Sequence, residues 1–79
     1  MKRYIATFHT HLAALRSSRS LTASGISAQM TPVPRRLSSS CGTCVRYEAD
    51  DVRSELLDTD AEAVYEDTGG EYILLREFG

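Results

Sequence analysis

Both cysteines of this chain lie in one short segment, Ser38–Cys44, whose sequence is SSSCGTC. Cys41 and Cys44 are separated by two residues, and three serines and a glycine surround the first thiol. Thiols at this spacing occur as redox pairs, as half of a zinc site, or around a single reactive cysteine. An inert cysteine following a polar loop has the same sequence appearance. The residues alone do not choose between a reactive and an inert Cys41.

A reactive thiol must be a thiolate, so it needs cations or N–H groups that stabilise the charged sulfur. Three arginines flank the segment, and two histidines could face it. The glycine permits a tight turn whose N–H groups point at a sulfur or a bound anion. The candidate groups around Cys41 are Arg35, Arg36, Arg46, Ser38, Ser39, Ser40, Gly42, His9 and His11.

The pair Cys41 and Cys44 leaves two further hypotheses. As a dithiol, one sulfur would attack and the other would resolve, although the pair does not begin a helix as in thioredoxin-like proteins. As a zinc site, the pair needs two more ligands, and His9 and His11 are the remaining soft ones. These histidines straddle a predicted strand-to-helix joint and converge only if it bends. We therefore expect no metal and no cofactor.

Alternating and helically spaced apolar residues predict seven elements in the order β-α-β-β-α-β-β. Thr10 is the predicted N-cap of the first helix, Gly25 its stop, and Asp50 the cap of the second. The predicted inward stripe of the first helix is Ala14, Leu15, Ser18, Leu21 and Thr22. The predicted elements are strand Arg3–Phe8, helix 10–25, strand Ile26–Met30, strand Cys44–Ala49, helix 50–60, strand Ala61–Tyr65 and strand 71–78.

The first six elements match the α+β, ferredoxin-like split β-α-β sandwich (βαββαβ), and the last is an extra C-terminal edge strand. That plan has an antiparallel sheet with spatial order 4-1-3-2. Right-handed crossovers then place the end of the first strand and the long loop after the second at one edge. His9, His11 and Cys41 are therefore predicted to be neighbours.

Length and charge limit the function classes. The 79 residues, 42 % of them apolar, form one domain spanning 1–79, and a chain this short favours a dimer or a partner. No acid precedes Glu48, so the basic N-terminal half could attract an anion, or the two halves could attract each other. We favour attraction between the halves, since the basic residues are scattered.

The expected location is the cytoplasm, where thiols stay reduced. No apolar stretch approaches 18 residues, so we expect no membrane association. The strand aromatics are not interleaved with basic residues, so we expect no nucleic-acid binding.

The stretches FHTHLAAL, SGI and TPVPRRLSSSCGTCVRYEADD resemble the small bacterial and archaeal family of selenium/sulfur carrier protein-like domains. The resemblance spans about residues 3–60, and Cys44 stands where the family usually has an aliphatic or small residue. It implies that Cys41 carries sulfur or selenium between donor and acceptor proteins, with the arginines stabilising the anion. The matching core residues are Pro32, Pro34, Arg35, Ser38, Ser39, Cys41, Gly42 and Arg46.

Three classes of function remain open, and the cysteines discriminate between them. A chalcogen carrier needs Cys41 alone and is at most a thiol-based transferase. A non-catalytic binding module for a small ligand or protein needs neither cysteine, since fold does not determine function. A dithiol redox or zinc protein needs Cys41 and Cys44 together.

Overall fold

The computed structural model describes residues 1–78, which fold into a five-stranded antiparallel sheet with a helix on one face. The strand order is β2-β3-β1-β4-β5. The elements are β1 (Lys2–Phe8), α1 (His11–Ala23), β2 (Ala28–Pro32), β3 (Thr43–Ala49), a short 3-10 helix (Ser54–Leu56), β4 (Ala61–Asp67) and β5 (Tyr72–Glu77).

The α+β class is confirmed, and read from the other edge the first four strands lie in the order 4-1-3-2, with β5 outside β4. The predicted second helix over 50–60 is wrong: only a 3-10 turn forms there. Two aspartates explain this, because Asp51 accepts from the N–H of Arg53 and Asp58 from that of Asp60, and such local bonds compete with a helix. Arg53 is also left-handed, with φ of 50°. The complete ferredoxin-like plan is therefore not confirmed.

Helix α1 begins and ends where the sequence predicted. The Thr10 hydroxyl accepts the N–H of Ala13 at 3.1 Å, and Gly25 follows the helix with φ of +81°. The predicted inward stripe is only partly right, because Leu15 and Ser18 are half-buried and Thr22 is exposed. Ser17, which is not in the predicted stripe, is fully buried. The helix presents small residues to the sheet, which allows close packing; its buried side chains are Ala13, Ala14, Ser17 and Leu21.

The main core lies between α1 and the sheet. Tyr4 of β1 and Tyr47 of β3 are cross-strand partners whose ring centroids are 5.3 Å apart. The Tyr47 hydroxyl donates to the carbonyl of Val52 at 2.6 Å, which ties the segment after β3 to the core. The core strands contribute Tyr4, Ala6, Phe8, Val45, Tyr47, Ala49, Ala61 and Val64 to this cluster.

The opposite face of the sheet is also buried, although α1 is not on that side. Ile5 and Cys44 are both 0 % exposed there. The loop 33–42 covers them, since Arg36 donates to the carbonyl of Gly70 in the β4–β5 turn while Ser39 donates to the carbonyl of Phe8. These two anchors lie at opposite ends of the sheet, so the loop crosses the face diagonally and returns.

The two halves of the chain pair with each other electrostatically, as the scattered charges predicted. Arg16 contacts Asp58 at 3.8 Å, and Arg46 contacts Asp67 at 3.3 Å. Each pair joins a basic residue of the N-terminal half to an acid of the C-terminal half. Partly exposed ion pairs stabilise a fold only weakly, so their main consequence is that these cations already have partners.

Replacement of Ser17 by alanine should destabilise the fold. The buried Ser17 hydroxyl accepts the N–H of Asp58 at 2.8 Å, and its removal leaves that N–H unpaired. We expect the free energy of unfolding in urea to fall by about 1–3 kcal/mol. Ser18→Ala, on the same helix and half-buried, is the matched control and should change it little. Equal effects of the two substitutions would contradict this role.

Candidate functional site at the cysteine loop

The cysteine loop is attached to β4 through the carboxylate of Glu62. Oε1 accepts the Ser39 hydroxyl at 2.9 Å and the Ser40 N–H at 3.2 Å. Oε2 accepts the Ser40 hydroxyl at 3.0 Å and lies 3.4 Å from Nδ1 of His9. One side chain therefore joins the loop, the strand and the end of β1.

A β-bulge places Glu62 at this junction. Phe8 pairs with Ala61 and Thr7 pairs with Ala63, so Glu62 is an extra residue between them. A bulge re-aims a side chain that regular alternation would direct to one face of the sheet. Sequence reasoning missed Glu62, because the bulge becomes apparent only once the core residues of β4 are known. Ala61 and Val64 both belong to the helix-side core, and their separation of three residues cannot fit strict alternation.

The pKa of Glu62 is lowered from its ordinary value. Partial burial is the largest single influence on this pKa. It acts in the opposite direction and raises the pKa. The hydrogen bonds from Ser40 and Ser39, together with the nearby His9, outweigh it. The carboxylate is therefore ionised at neutral pH, and its bonds to the loop are charge-assisted.

Cys41 is half-buried and packs against the helix-side core. Its sulfur lies 3.4 Å from the carbonyl of Thr43, to which the thiol can donate, and 3.9 Å from the Ser39 hydroxyl. That hydroxyl has one hydrogen, which Phe8 O at 2.7 Å and Glu62 also attract. Ser39 thus stands between the carboxylate and the sulfur. Gly42 adopts a φ of +72°, as the predicted tight turn requires.

Cys44 is a different kind of thiol. It is 0 % exposed on the loop-covered face of β3, with its sulfur 3.2 Å from Oγ1 of Thr31 and 3.7 Å from the carbonyl of Pro32. Burial raises the pKa of Cys44, and the opposing effects of Thr31 and Arg46 do not cancel this rise. A protonated, inaccessible thiol is a poor nucleophile.

The predicted arginines are directed elsewhere. Arg36 donates to Gly70 at 2.8 Å, and Arg46 pairs with Asp67 at 3.3 Å. Arg35 is exposed and lines a pocket with Pro34 and Gly70. Arg46 lies in the middle of β3, where it pairs with Ile5 of β1, so its side chain is not at the end of the strand. Their role in stabilising a sulfur anion stays a prediction.

The predicted gathering of the histidines and the loop at one edge is confirmed. His11 Nδ1 lies 3.4 Å from the Thr43 hydroxyl, and His9 contacts Glu62. Ser38 is exposed nearby. These contacts also bear on the zinc hypothesis, because each histidine faces a partner other than a cysteine. Across residues 1–78, no group of three or more His, Cys, Asp or Glu side chains is arranged to hold a metal ion.

Comparison with known proteins adds the family. Residues 3–65 match the family described as "Putative Se/S carrier protein-like", so the chain belongs to that family of small carrier-like domains. No curated protein and no solved structure matches the chain. Within the described residues no helix is long and apolar enough to cross a membrane.

Glu62→Gln should weaken the loop attachment in a pH-dependent way. A carboxyl whose folded-state pKa is lowered stabilises the fold above its unfolded pKa, and this stabilisation is lost as the pH falls through the folded value. We expect the variant to have a lower free energy of unfolding than the native chain near neutral pH. The difference should shrink towards about pH 3, which urea titrations across pH would measure.

Glu48→Gln is the control for this pH series, because Glu48 is an exposed glutamate on strand β3, which β1 separates from β4. The same pH-dependent difference in both variants would show that Glu62 is not a specific anchor.

The two thiols should differ in reactivity towards an aromatic disulfide reagent. Cys41 in the Cys44→Ala variant should react at least about tenfold faster than Cys44 in the Cys41→Ala variant, because burial hinders the Cys44 thiolate. Absorbance of the released thiol measures both rates. In denaturant the rates should converge, and comparable rates in the folded state would contradict the assignment.

Proposed function

We propose that this protein carries a sulfur or selenium atom on Cys41. The main support for this role is the difference between the two thiols. Cys41 is half-buried in a loop at the edge of the sheet, whereas Cys44 is fully buried and has a raised pKa. Membership of the carrier-like family supports this role. The partners would be a donor protein and an acceptor protein.

The transfer needs no cofactor and no net oxidant. The Cys41 thiolate attacks the terminal sulfur of a donor persulfide, forming a new S–S bond as the donor's S–S bond breaks and its thiolate leaves. A terminal selenium atom on the donor gives a selenosulfide in the same way. An acceptor nucleophile then takes the terminal atom, and the Cys41 thiolate is the leaving group.

The residues around Cys41 suit a charged sulfur that forms transiently. The carbonyl of Thr43 at 3.4 Å accepts from the protonated thiol and so favours the resting state. The Ser39 hydroxyl, 3.9 Å from the sulfur, can turn its hydrogen from Glu62 towards a thiolate. His9 and His11 at the same edge supply positive charge when protonated.

Cys44 has no role in the proposed transfer. Its thiol faces Thr31 and Pro32 on the loop-covered side, whereas Cys41 packs towards the helix side. Attack on a Cys41 persulfide would require Cys44 to leave its buried position. A replacement of Cys44 should therefore preserve the carrier function, in contrast to a dithiol mechanism.

Intact mass after exposure to a cysteine desulfurase, with cysteine or selenocysteine as substrate, tests the proposal. The native chain and Cys44→Ala should each gain one sulfur or selenium atom, because both retain the accessible thiol. Cys41→Ser should gain none, and reductant should remove the added atom from the others.

Three results would overturn the carrier role of Cys41. The first is the absence of any added chalcogen on the native chain, which would favour the binding-module alternative. The second is a gain that persists in Cys41→Ser. The third is a loss of two hydrogens in place of a gain, which would identify a dithiol–disulfide pair.

A further inference from the structure

Strand β5 exposes three consecutive apolar side chains. Ile73 is 45 % exposed, Leu74 50 % and Leu75 42 %. Consecutive strand residues point to opposite faces, so the apolar surface wraps around this edge of the sheet. The charged residues of this edge strand, Arg76 and Glu77, lie at one end, so its apolar part has neither lysine nor proline to prevent pairing with another strand. These residues lie outside the carrier site.

Strand β5 is open because it is the last strand of the sheet. Helix α1 packs on β1, β2, β3 and the 3-10 turn, and not on β5. Arg76 of β5 reaches that turn through a 3.1 Å bond to the Ser54 hydroxyl. On its other side β5 borders no strand of the described sheet, since β4 is its neighbour.

We propose that β5 pairs with β5 of a second copy of this chain, antiparallel about a two-fold axis. Two five-stranded sheets would then form one continuous sheet across the dimer. Edge-to-edge strand addition supplies main-chain hydrogen bonds, while side chains decide the register. A two-fold interface is isologous, so the strand must be complementary to itself.

The backbone of β5 has free groups at the required positions. The Thr68 N–H bonds to the carbonyl of Glu71 at 3.1 Å and closes the turn between β4 and β5. Pairs of an antiparallel ladder alternate between bonded and non-bonded. Tyr72 and Leu74 therefore stand at non-bonded positions relative to β4, and their N–H and C=O groups point outward.

One register satisfies both the backbone and the side chains. With Ile73 opposite itself, Tyr72 lies opposite Leu74 of the second copy, so the outward N–H and C=O groups meet in pairs. Strand β5 has a bulge at Leu75, since Val64 of β4 pairs with Arg76 and Tyr65 pairs with Leu74. The extra residue shifts Arg76 so that it lies beside Glu71 of the second copy.

The charges favour a second copy over an unrelated strand. In this register each end of the paired strands places Glu71 beside Arg76 of the second copy, which also bonds Ser54 of its own chain, and the exposed apolar residues meet between the two ends. Opposite charges across strands stabilise a pair, and like charges destabilise it. A chain of 79 residues also has a small core and gains from added burial.

Sedimentation of the full chain over a range of concentrations tests the dimer. We expect the native chain to shift from 8.7 kDa to twice this mass as concentration rises. Leu74→Lys should weaken the association at least about tenfold, because an ammonium group would replace the apolar side chain that packs beside Tyr72 of the second copy. The matched control is Leu12→Lys, since Leu12 is 52 % exposed on α1, away from β5.

A charge exchange tests the register itself. Glu71→Arg should weaken the dimer by placing two arginines together, and the double variant with Arg76→Glu should restore it. Circular dichroism establishes that each variant is folded. A native chain that stays monomeric throughout, or equal effects of the lysine substitutions at Leu12 and Leu74, would overturn the proposal. Failure of the double variant to recover would overturn the register.

Discussion

The attachment of the cysteine loop to the Glu62 carboxylate is the interaction on which the arrangement depends. Three bonds from Ser39 and Ser40 reach this one side chain, and they close the loop over the second face of the sheet. The loop in turn buries Ile5 and Cys44. A polar anchor at the edge therefore determines both where the reactive cysteine stands and how well the smaller set of apolar residues on the second face is protected from water.

The strands and helix α1 could be predicted from sequence because alternation and capping are local signals. Thr10 and Gly25 marked the helix ends correctly, and the order of the first four strands followed from the match of the element order to the split β-α-β plan. The segment after β3 could not be predicted as well, since Asp51 and Asp58 satisfy backbone N–H groups that a helix would need. Local hydrogen bonding there outweighed an apolar spacing that also suits a helix.

At the site, the sequence predicted which residues share an edge but not which of them interact. Cys41 and the histidines gather as topology requires, whereas Arg36 and Arg46 pair with groups far along the chain. Glu62 escaped notice because its position results from a bulge, which depends on pairing between distant strands. The two cysteines are chemically identical in the sequence, so their unequal burial could not be predicted from it; only the fold determines that burial.

Loop 33–42 both positions the Cys41 thiol and covers apolar side chains, and this limits how the loop can change in evolution. Surface loops ordinarily tolerate insertions and deletions, because little depends on their length. Here two hydrogen bonds constrain the length of the loop, one from Arg36 to the carbonyl of Gly70 and one from Ser39 to the carbonyl of Phe8. A residue gained or lost would shift the thiol and uncover apolar side chains at once. The cysteine loop should therefore keep its length, and so should the β4–β5 turn that holds Gly70.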